Sequence, residues 1–337
     1  MAPNAPDPQA STHPVLDAVL RQQLLVRREK LRTALSGTPG PEPLVRLLQE
    51  LDAALERMEA GTYGLCETCH EGIESERLLA DPLCRNCLDH LSAAEQRMLE
   101  RDLDLAFQIQ TGLLPRPGRA AAGWTMAYHY EPAGPVSGDY CDLIGLEDGS
   151  GLFLLGDVTG KGVAASLLMA HLHATFRSLT HTTHRVDELV TRANRIFCEG
   201  TPTSHFATLV CGWLGRDGAV EICNAGHPYP LHVQEGRVSR IESTGLPLGL
   251  FCDGAYTSRR LTLAPGDSLV LYSDGLSESL NESSEEYGID RLAAWLPGRR
   301  ALAAPELVEG LLAEAGRFRA RAPRTDDLTV MVLRREA

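Results

Sequence analysis

Asp157 ends the apolar run Gly-Leu-Phe-Leu-Leu and opens the glycine-rich turn GDVTGKGVAAS, residues 156–166. Strand, glycine turn and helix in that order are the usual setting of a phosphate loop. Gly160, Gly162 and Ala165 even fit the G-x-G-x-x-G/A pattern. A carboxylate at the strand end repels phosphate, unless a divalent cation stands between the two. Further carboxylates abut apolar runs: Asp139 and Asp142 in VSGDYCD, Asp274 in LVLYSDGL, Asp326 and Asp327 in TDDLTVMVL. A sheet that gathers them makes a hard-oxygen site suited to Mg²⁺ or Mn²⁺. The rival reading, a nucleotide-binding oxidoreductase, needs an acidic strand end about twenty residues on. SLTHTTHRVDELV stands there and reads as helical. No Ser-His-Asp or cysteine-nucleophile pattern occurs at a recognisable spacing.

A second chemistry lies nearer the N-terminus. CETCHEGIESERLLADPLCRNC holds two C-x-x-C pairs, Cys66 with Cys69 and Cys84 with Cys87. Two such knuckles are what one tetrahedral zinc thiolate site needs. Four thiolates complete the shell, so His70 reads as a surface residue.

The elements that must position these residues follow from periodicity. Residues 1–13 are Pro- and Ala-rich with little to bury, and are expected to be disordered. VLDAVLRQQLLVRREKLRTAL and EPLVRLLQELDAALERMEAG repeat apolar residues at helical spacing, with SGTPGPEP between them. A helical hairpin with the cysteine cluster is therefore predicted over 14–91. SAAEQRMLERDLDLAFQIQTG predicts a linker helix inside residues 92–120, opened by a Ser92–Glu95 capping box. Its apolar stripe runs through Leu99, Leu103, Phe107 and Gln110. From residue 121 to 337, β-type segments and helices alternate, an α+β pattern. The 337 residues carry a net charge of −13, which argues against direct nucleic-acid binding and against anionic membranes. MAPNAPDPQASTHP lacks the cationic start and apolar core of a secretory leader, and no long uncharged apolar segment suggests a membrane span. A cytoplasmic protein is expected. Nine cysteines in a chain of this length do not indicate a disulfide framework.

The segments IQTGLLP, YEPAGPVSGDYCDLI, LLGDVTGKGVAASLLMA, FATLVCGWL, NAGHPYPL, GLPLGL, LYSDGL and TDDLTVMVL occur in this order. The set resembles the SpoIIE/RsbU branch of the PPM (PP2C-like) serine/threonine protein phosphatases, over about residues 100–334. The resemblance implies two antiparallel sheets packed face to face with helices outside. It implies a two-metal centre of Mn²⁺ or Mg²⁺ in which Asp157 bridges the ions and the Val158 carbonyl binds one of them. Asp139 would hold the second ion, and Asp274 and Asp326 the first, with Asp327 as the alternative to Asp326. Hydrolysis would use an activated water, with no covalent enzyme intermediate. The implied substrate is a phosphorylated anti-anti-sigma (STAS) protein in partner switching, and the helix before LLP is where such chains pair as homodimers.

Residues 50–90, through GTYGLCETC and RLLADP, resemble the zinc finger of the DksA/TraR family. That implies one structural Zn²⁺ on Cys66, Cys69, Cys84 and Cys87, in a module that regulates the phosphatase. The competing reading is a DksA-like transcription regulator with a degenerate phosphatase domain. It requires lost metal carboxylates, and none is lost from the sequence.

Overall fold

In a computed structural model of the chain, residues 14–35, 42–91, 93–116, 121–202 and 204–336 are described. The expected disorder of 1–13 and the cap at Ser92 lie outside them. The described residues fall into two compact units, Met1–Asp102 and Leu103–Ala337.

The first unit holds α1 (Pro14–Leu35), α2 (Glu42–Glu59) and the short α3 (Ser75–Ala80). Leu20 and Leu24 of α1 and Leu51 and Leu55 of α2 are i,i+4 pairs, so each forms one stripe. All four are buried in one cluster with Tyr63, Ile73, Leu78 and the cysteines. The module has a core, but a small one. Next comes α4 (Ala93–Leu113), and the division between the units falls within it.

The second unit is built from β1 (Trp124–Glu131), β2 (Asp139–Gly145), β3 (Gly151–Val158), α5 (Val163–Leu179), α6 (Val186–Gly200), β4 (Ala207–Leu214), β5 (Ala219–Ala225), β6 (Leu231–Gln234), β7 (Arg237–Arg240), β8 (Arg259–Thr262), β9 (Ser268–Tyr272), α7 (Asp274–Ser277), α8 (Gly288–Trp295), α9 (Ala304–Arg319) and β10 (Leu328–Arg335). One sheet runs β1-β10-β9-β6-β7 and the other β2-β3-β4-β5-β8, with antiparallel pairing throughout. This is the two-sheet arrangement expected from the sequence.

Strand β3 shows why its apolar run does not alternate with polar residues. Its two faces are both covered, so both must be apolar. Phe153 and Leu155 point into the core between the sheets, with Cys141, Leu143, Leu271 and Met331. Leu152 and Leu154 point the other way, into the layer with Met169, Leu172 and Phe176 of α5 and Leu189, Val190 and Phe197 of α6. On the far side, Leu307, Val308 and Leu311 of α9 cover Val270, Val330 and Val332. Truncating a central side chain such as Phe153 to Ala costs about 3–5 kcal/mol in such a core.

Two cysteines left unassigned by the sequence, Cys198 at the end of α6 and Cys252, form a disulfide in the structure with Cα atoms 5.6 Å apart. Among the described residues no helix is long and apolar enough to cross a membrane.

Candidate active site

Strand parity places the carboxylates. Successive side chains of a strand point to opposite faces. Phe153, Leu155 and Asp157 share the inter-sheet face of β3, so Asp157 stands where that core reaches solvent. Asp139 is its register partner on β2 and shares the face of Cys141 and Leu143. Asp142 has the opposite parity. It is buried against α5, where Arg177 grips both its oxygens at 2.8 and 2.9 Å. That ion pair is structural and takes Asp142 out of the site.

The other sheet supplies the rest. Asp274 opens α7 directly after β9, and Asp326 and Asp327 precede β10. Burial raises Asp157 to about 9, and the charges of Asp139, Asp274, Asp326 and Asp327 add to the effect. Asp139 is raised to about 7 by its burial, although the Thr329 hydroxyl donates to it at 2.5 Å and opposes the rise. Asp274 is also raised, by burial and by Asp326. A divalent cation among these carboxylates would offset their charge and favour their ionised forms. The backbone fits the same conclusion. A Cβ at Gly138 would stand 2.8 Å from the Val158 carbonyl oxygen and 3.3 Å from Asp157 Oδ1. Only glycine leaves those two oxygens open together. Gly275 is as constrained, since a Cβ there would collide with the Asp327 carbonyl.

Asp326 and Asp327 differ sharply. Asp327 is buried, and its two oxygens accept the N–H groups of Ala133 at 2.7 Å and Gly138 at 3.0 Å. It ties the 133–138 loop, which carries Asp139, to β10. Asp326 is half-exposed and meets the Lys161 ammonium at 3.0 Å, while Lys161 also donates to the Thr325 carbonyl at 2.6 Å. A cavity of about 550 Å³ opens beside Asp157 and Asp274, lined also by Thr208, His227, Tyr229 and Glu278. His227 is fixed within it: Thr208 Oγ1 lies 2.9 Å from its Nδ1, and Asn224 binds its backbone N–H and carbonyl. Burial pushes its imidazole down to about 3, so the ring is neutral at ordinary pH.

Residues 147–336 match the family described as Stage II sporulation protein E (SpoIIE), which is more than half of the chain. The chain belongs to the SpoIIE family. It is 28% identical over 220 residues to Protein IcfG of Synechocystis sp., across 57% of this chain and 35% of that one. It is 25% identical over 249 residues to Phosphoserine phosphatase RsbU of Bacillus subtilis, across 72% of each. The chain thus spans about a third of the first relative and nearly three quarters of the second. The structure titled SiaA-PP2C domain of Pseudomonas aeruginosa superposes with a TM-score of 0.63 at 21% identity, covering 72% of this chain and 99% of that one. The SpoIIE-family part therefore has the PP2C-like fold of two antiparallel sheets flanked by helices.

Outside the SpoIIE match, the N-terminal unit gathers a different set of ligands from the one expected. Cys66, Cys69, Cys87 and His90 bring their ligand atoms within 4.8 Å of one another. Cys84 is not among them, so the group differs from the four thiolates expected. It is buried near the Arg77 guanidinium, and its own N–H is held by the Asp81 carbonyl at 3.1 Å. Burial raises the Cys66 thiol, but the N–H groups of Cys69, Cys87 and Thr68 outweigh this and bring it to about 6. His70 sits in the left-handed region at φ 61° and takes no part in the cluster.

Three participants are not evident from the sequence. Thr329 orients Asp139, and its only signal is its parity with Met331 on β10. Gly138 is one glycine among many. Gln110 falls on an apolar stripe by its spacing, yet it is buried with both amide groups on Ser137: Nε2 donates to the carbonyl at 2.7 Å, and Oε1 accepts the N–H at 3.0 Å.

Proposed function

We propose that the chain is a metal-dependent phosphoprotein phosphatase that hydrolyses phosphoserine or phosphothreonine. The observation that carries this is the convergence of Asp139, Asp157, Asp274 and Asp326 from two sheets, where burial first, and the neighbouring carboxylates second, raise Asp139, Asp157 and Asp274. Asp157 would bridge two Mn²⁺ or Mg²⁺ ions with the Val158 carbonyl on one of them. Asp274 and Asp326 would serve the first ion and Asp139 the second; Asp327 is better used in holding the loop. The ions would supply an activated water and shield the phosphate charge.

The protein's own groups do the rest. Thr329 fixes the Asp139 carboxylate, Asp327 fixes the loop that carries it, and Gly138 keeps the Val158 carbonyl accessible. Lys161 already meets the site at Asp326 and would turn from it towards a bound phosphate. The cavity between Thr208, Tyr229 and Glu278 offers room for residues that flank the phosphoserine.

The similarity to RsbU and the ordered family segments support a phosphorylated STAS-domain protein as substrate, in partner-switching control of a sigma factor. The N-terminal unit is read as a zinc module that regulates this activity. Helix α4 carries Met98, Leu105 and Ile109 exposed at i, i+7 and i+11, one apolar face suited to pairing with its copy in a homodimer.

The reading is tested with p-nitrophenyl phosphate and then with phosphorylated STAS proteins of the same organism. Turnover that requires Mn²⁺ or Mg²⁺ and stops on chelation is expected. A well-folded, metal-loaded protein inert towards both substrates contradicts it.

A further inference from the structure

The thiol cluster in the N-terminal unit contains a nitrogen where the cysteine spacing called for a fourth sulfur. We propose that this unit holds its metal through Cys66, Cys69, Cys87 and Nδ1 of His90, a three-thiolate, one-imidazole site for Zn²⁺ in which Cys84 takes no part. The proposal sharpens the reading of this unit as a zinc module and is independent of the phosphatase chemistry.

The distances carry the argument. Cys69 Sγ and Cys87 Sγ are 3.8 Å apart, and His90 Nδ1 lies 3.2 Å from Cys87 Sγ. Two thiolates at about 2.3 Å from a tetrahedral zinc stand roughly 3.8 Å from one another, and a thiolate and an imidazole nitrogen roughly 3.6 Å. The donors are therefore spaced as the corners of one coordination shell. Three thiolates and one imidazole suit zinc, which accepts both and closes at four.

The backbone explains why His90 arrives and Cys84 does not. At the first knuckle, Cys66 N–H donates to the Glu71 carbonyl at 2.8 Å and His70 N–H to the Cys66 carbonyl at 2.9 Å. This tight turn points Cys66 and Cys69 the same way. Cys87 begins a single 3₁₀ turn, Leu88–His90, in which His90 N–H donates to the Cys87 carbonyl at 3.0 Å. Positions i and i+3 eclipse in such a turn, so the imidazole falls back over the Cys87 sulfur. Cys84 belongs instead to the Asp81 turn. Arg77 occupies the space beside it, donating from Nε to the Asn86 carbonyl at 3.0 Å and from Nη2 to Glu95 at 3.0 Å. The stretch from residue 70 to 83 does not carry Cys84 to the cluster.

The assignment has a mechanical consequence. With Cys84 as ligand, the last anchored residue would be Cys87. With His90 as ligand, the anchor lies just before α4, which starts at Ala93. Metal then fixes the chain's entry into that helix.

Zinc per chain, measured by elemental analysis on reduced full-length protein after dialysis against a graded series of a chelator, decides the matter. Cys84→Ser and Cys84→Ala should both keep about one zinc per chain with the resistance of the parent. His90→Ala should release its zinc at a chelator concentration at least about tenfold lower, and His90→Cys should restore retention. Cobalt substitution supplies a second readout: its visible spectrum should change for His90→Cys and stay unchanged for Cys84→Ser. Loss of zinc from both Cys84 variants, or undiminished retention in His90→Ala, overturns the assignment, as does parent protein without zinc. Circular dichroism on each sample separates unfolding from ligand loss. Phosphatase turnover is scored separately, so its absence leaves this result standing.

Discussion

Asp157 is placed where its own charge is unwelcome, and the residues around it are chosen for that. Gly138 is the sharpest case. Alanine there would press on the Val158 carbonyl at 2.8 Å and on Asp157 at 3.3 Å. Gly138→Ala should cost about 1–3 kcal/mol in urea denaturation, as overpacking does. Its larger effect should be at least a tenfold rise in the Mn²⁺ concentration that gives half activity; an unchanged metal titration would remove Val158 from the site. His227 gives a pH prediction. Its imidazole lies at about 3 in the folded protein because it is buried, against 6.5 ordinarily. Between those values the unfolded chain binds a proton that the folded chain refuses, so stability falls as pH drops from 6.5 towards 3. In metal-free His227→Gln this contribution disappears. Its urea midpoint should decline less steeply on acidification than that of the parent. At this scale the carboxylates are legible in the sequence because each abuts an apolar run. Thr329 and Gly138 are not, because their roles depend on which strands become neighbours.

Among elements, the alternation of strand faces decides what chemistry a residue can reach. Asp139 and Asp142 look equivalent in VSGDYCD, but parity sends the first to the inter-sheet face and the second to Arg177. The sequence shows both aspartates, whereas the register that sorts them comes from pairing with β3. Helix α4 teaches a similar lesson. Periodicity locates it, with bounds near those observed, but its spacing makes Gln110 part of an apolar stripe. The buried amide instead clamps Ser137, two residues before Asp139. Gln110→Ala would leave a backbone N–H and a carbonyl unpartnered, each costing about 1–3 kcal/mol when buried. A loss of about 2–6 kcal/mol in chemical denaturation is expected for the two together, with reduced turnover at saturating Mn²⁺. A stability change without any change in turnover would limit Gln110 to a packing role.

At the scale of the whole molecule, the two units raise separate questions. The fold of the second is largely present in the ordered segments, since a sheet covered on both faces demands strands as apolar as GLFLL. The Cys/His cluster of the first is only partly legible, because knuckle spacing does not reveal which side chains an intervening stretch brings beside Cys66 and Cys69. The apolar residues left exposed on α4 lead to a test of assembly. Leu105→Gln with Ile109→Gln should lower the mass seen by light scattering from dimer to monomer. Deletion of residues 1–90 should shift the Mn²⁺ requirement if the N-terminal unit regulates the enzyme. Equal masses and equal metal dependence would reduce the helix to a spacer.

The central claim, a cation-dependent carboxylate cluster organised on Asp157, is tested most directly by thermal unfolding and hydrolysis of Asp157→Asn with and without Mn²⁺. Asp157 holds its proton up to about 9 in the folded protein and gives it up near 3.8 when unfolded. Asp157's own contribution to the stability of the metal-free parent therefore falls as pH rises between those values, each pH step there favouring the unfolded chain by at most about 1.4 kcal/mol. Asparagine carries no charge to suppress. The variant without metal should melt higher than the parent at about pH 8 and nearly equally near pH 3, where the parent's carboxyl is protonated in the folded chain and largely so in the unfolded one. Adding Mn²⁺ should raise the melting temperature of the parent, leave that of the variant in place, and support hydrolysis of p-nitrophenyl phosphate only by the parent. A variant that melts lower than metal-free parent under the alkaline condition, still responds to Mn²⁺ and turns over at a near-normal rate would contradict the account.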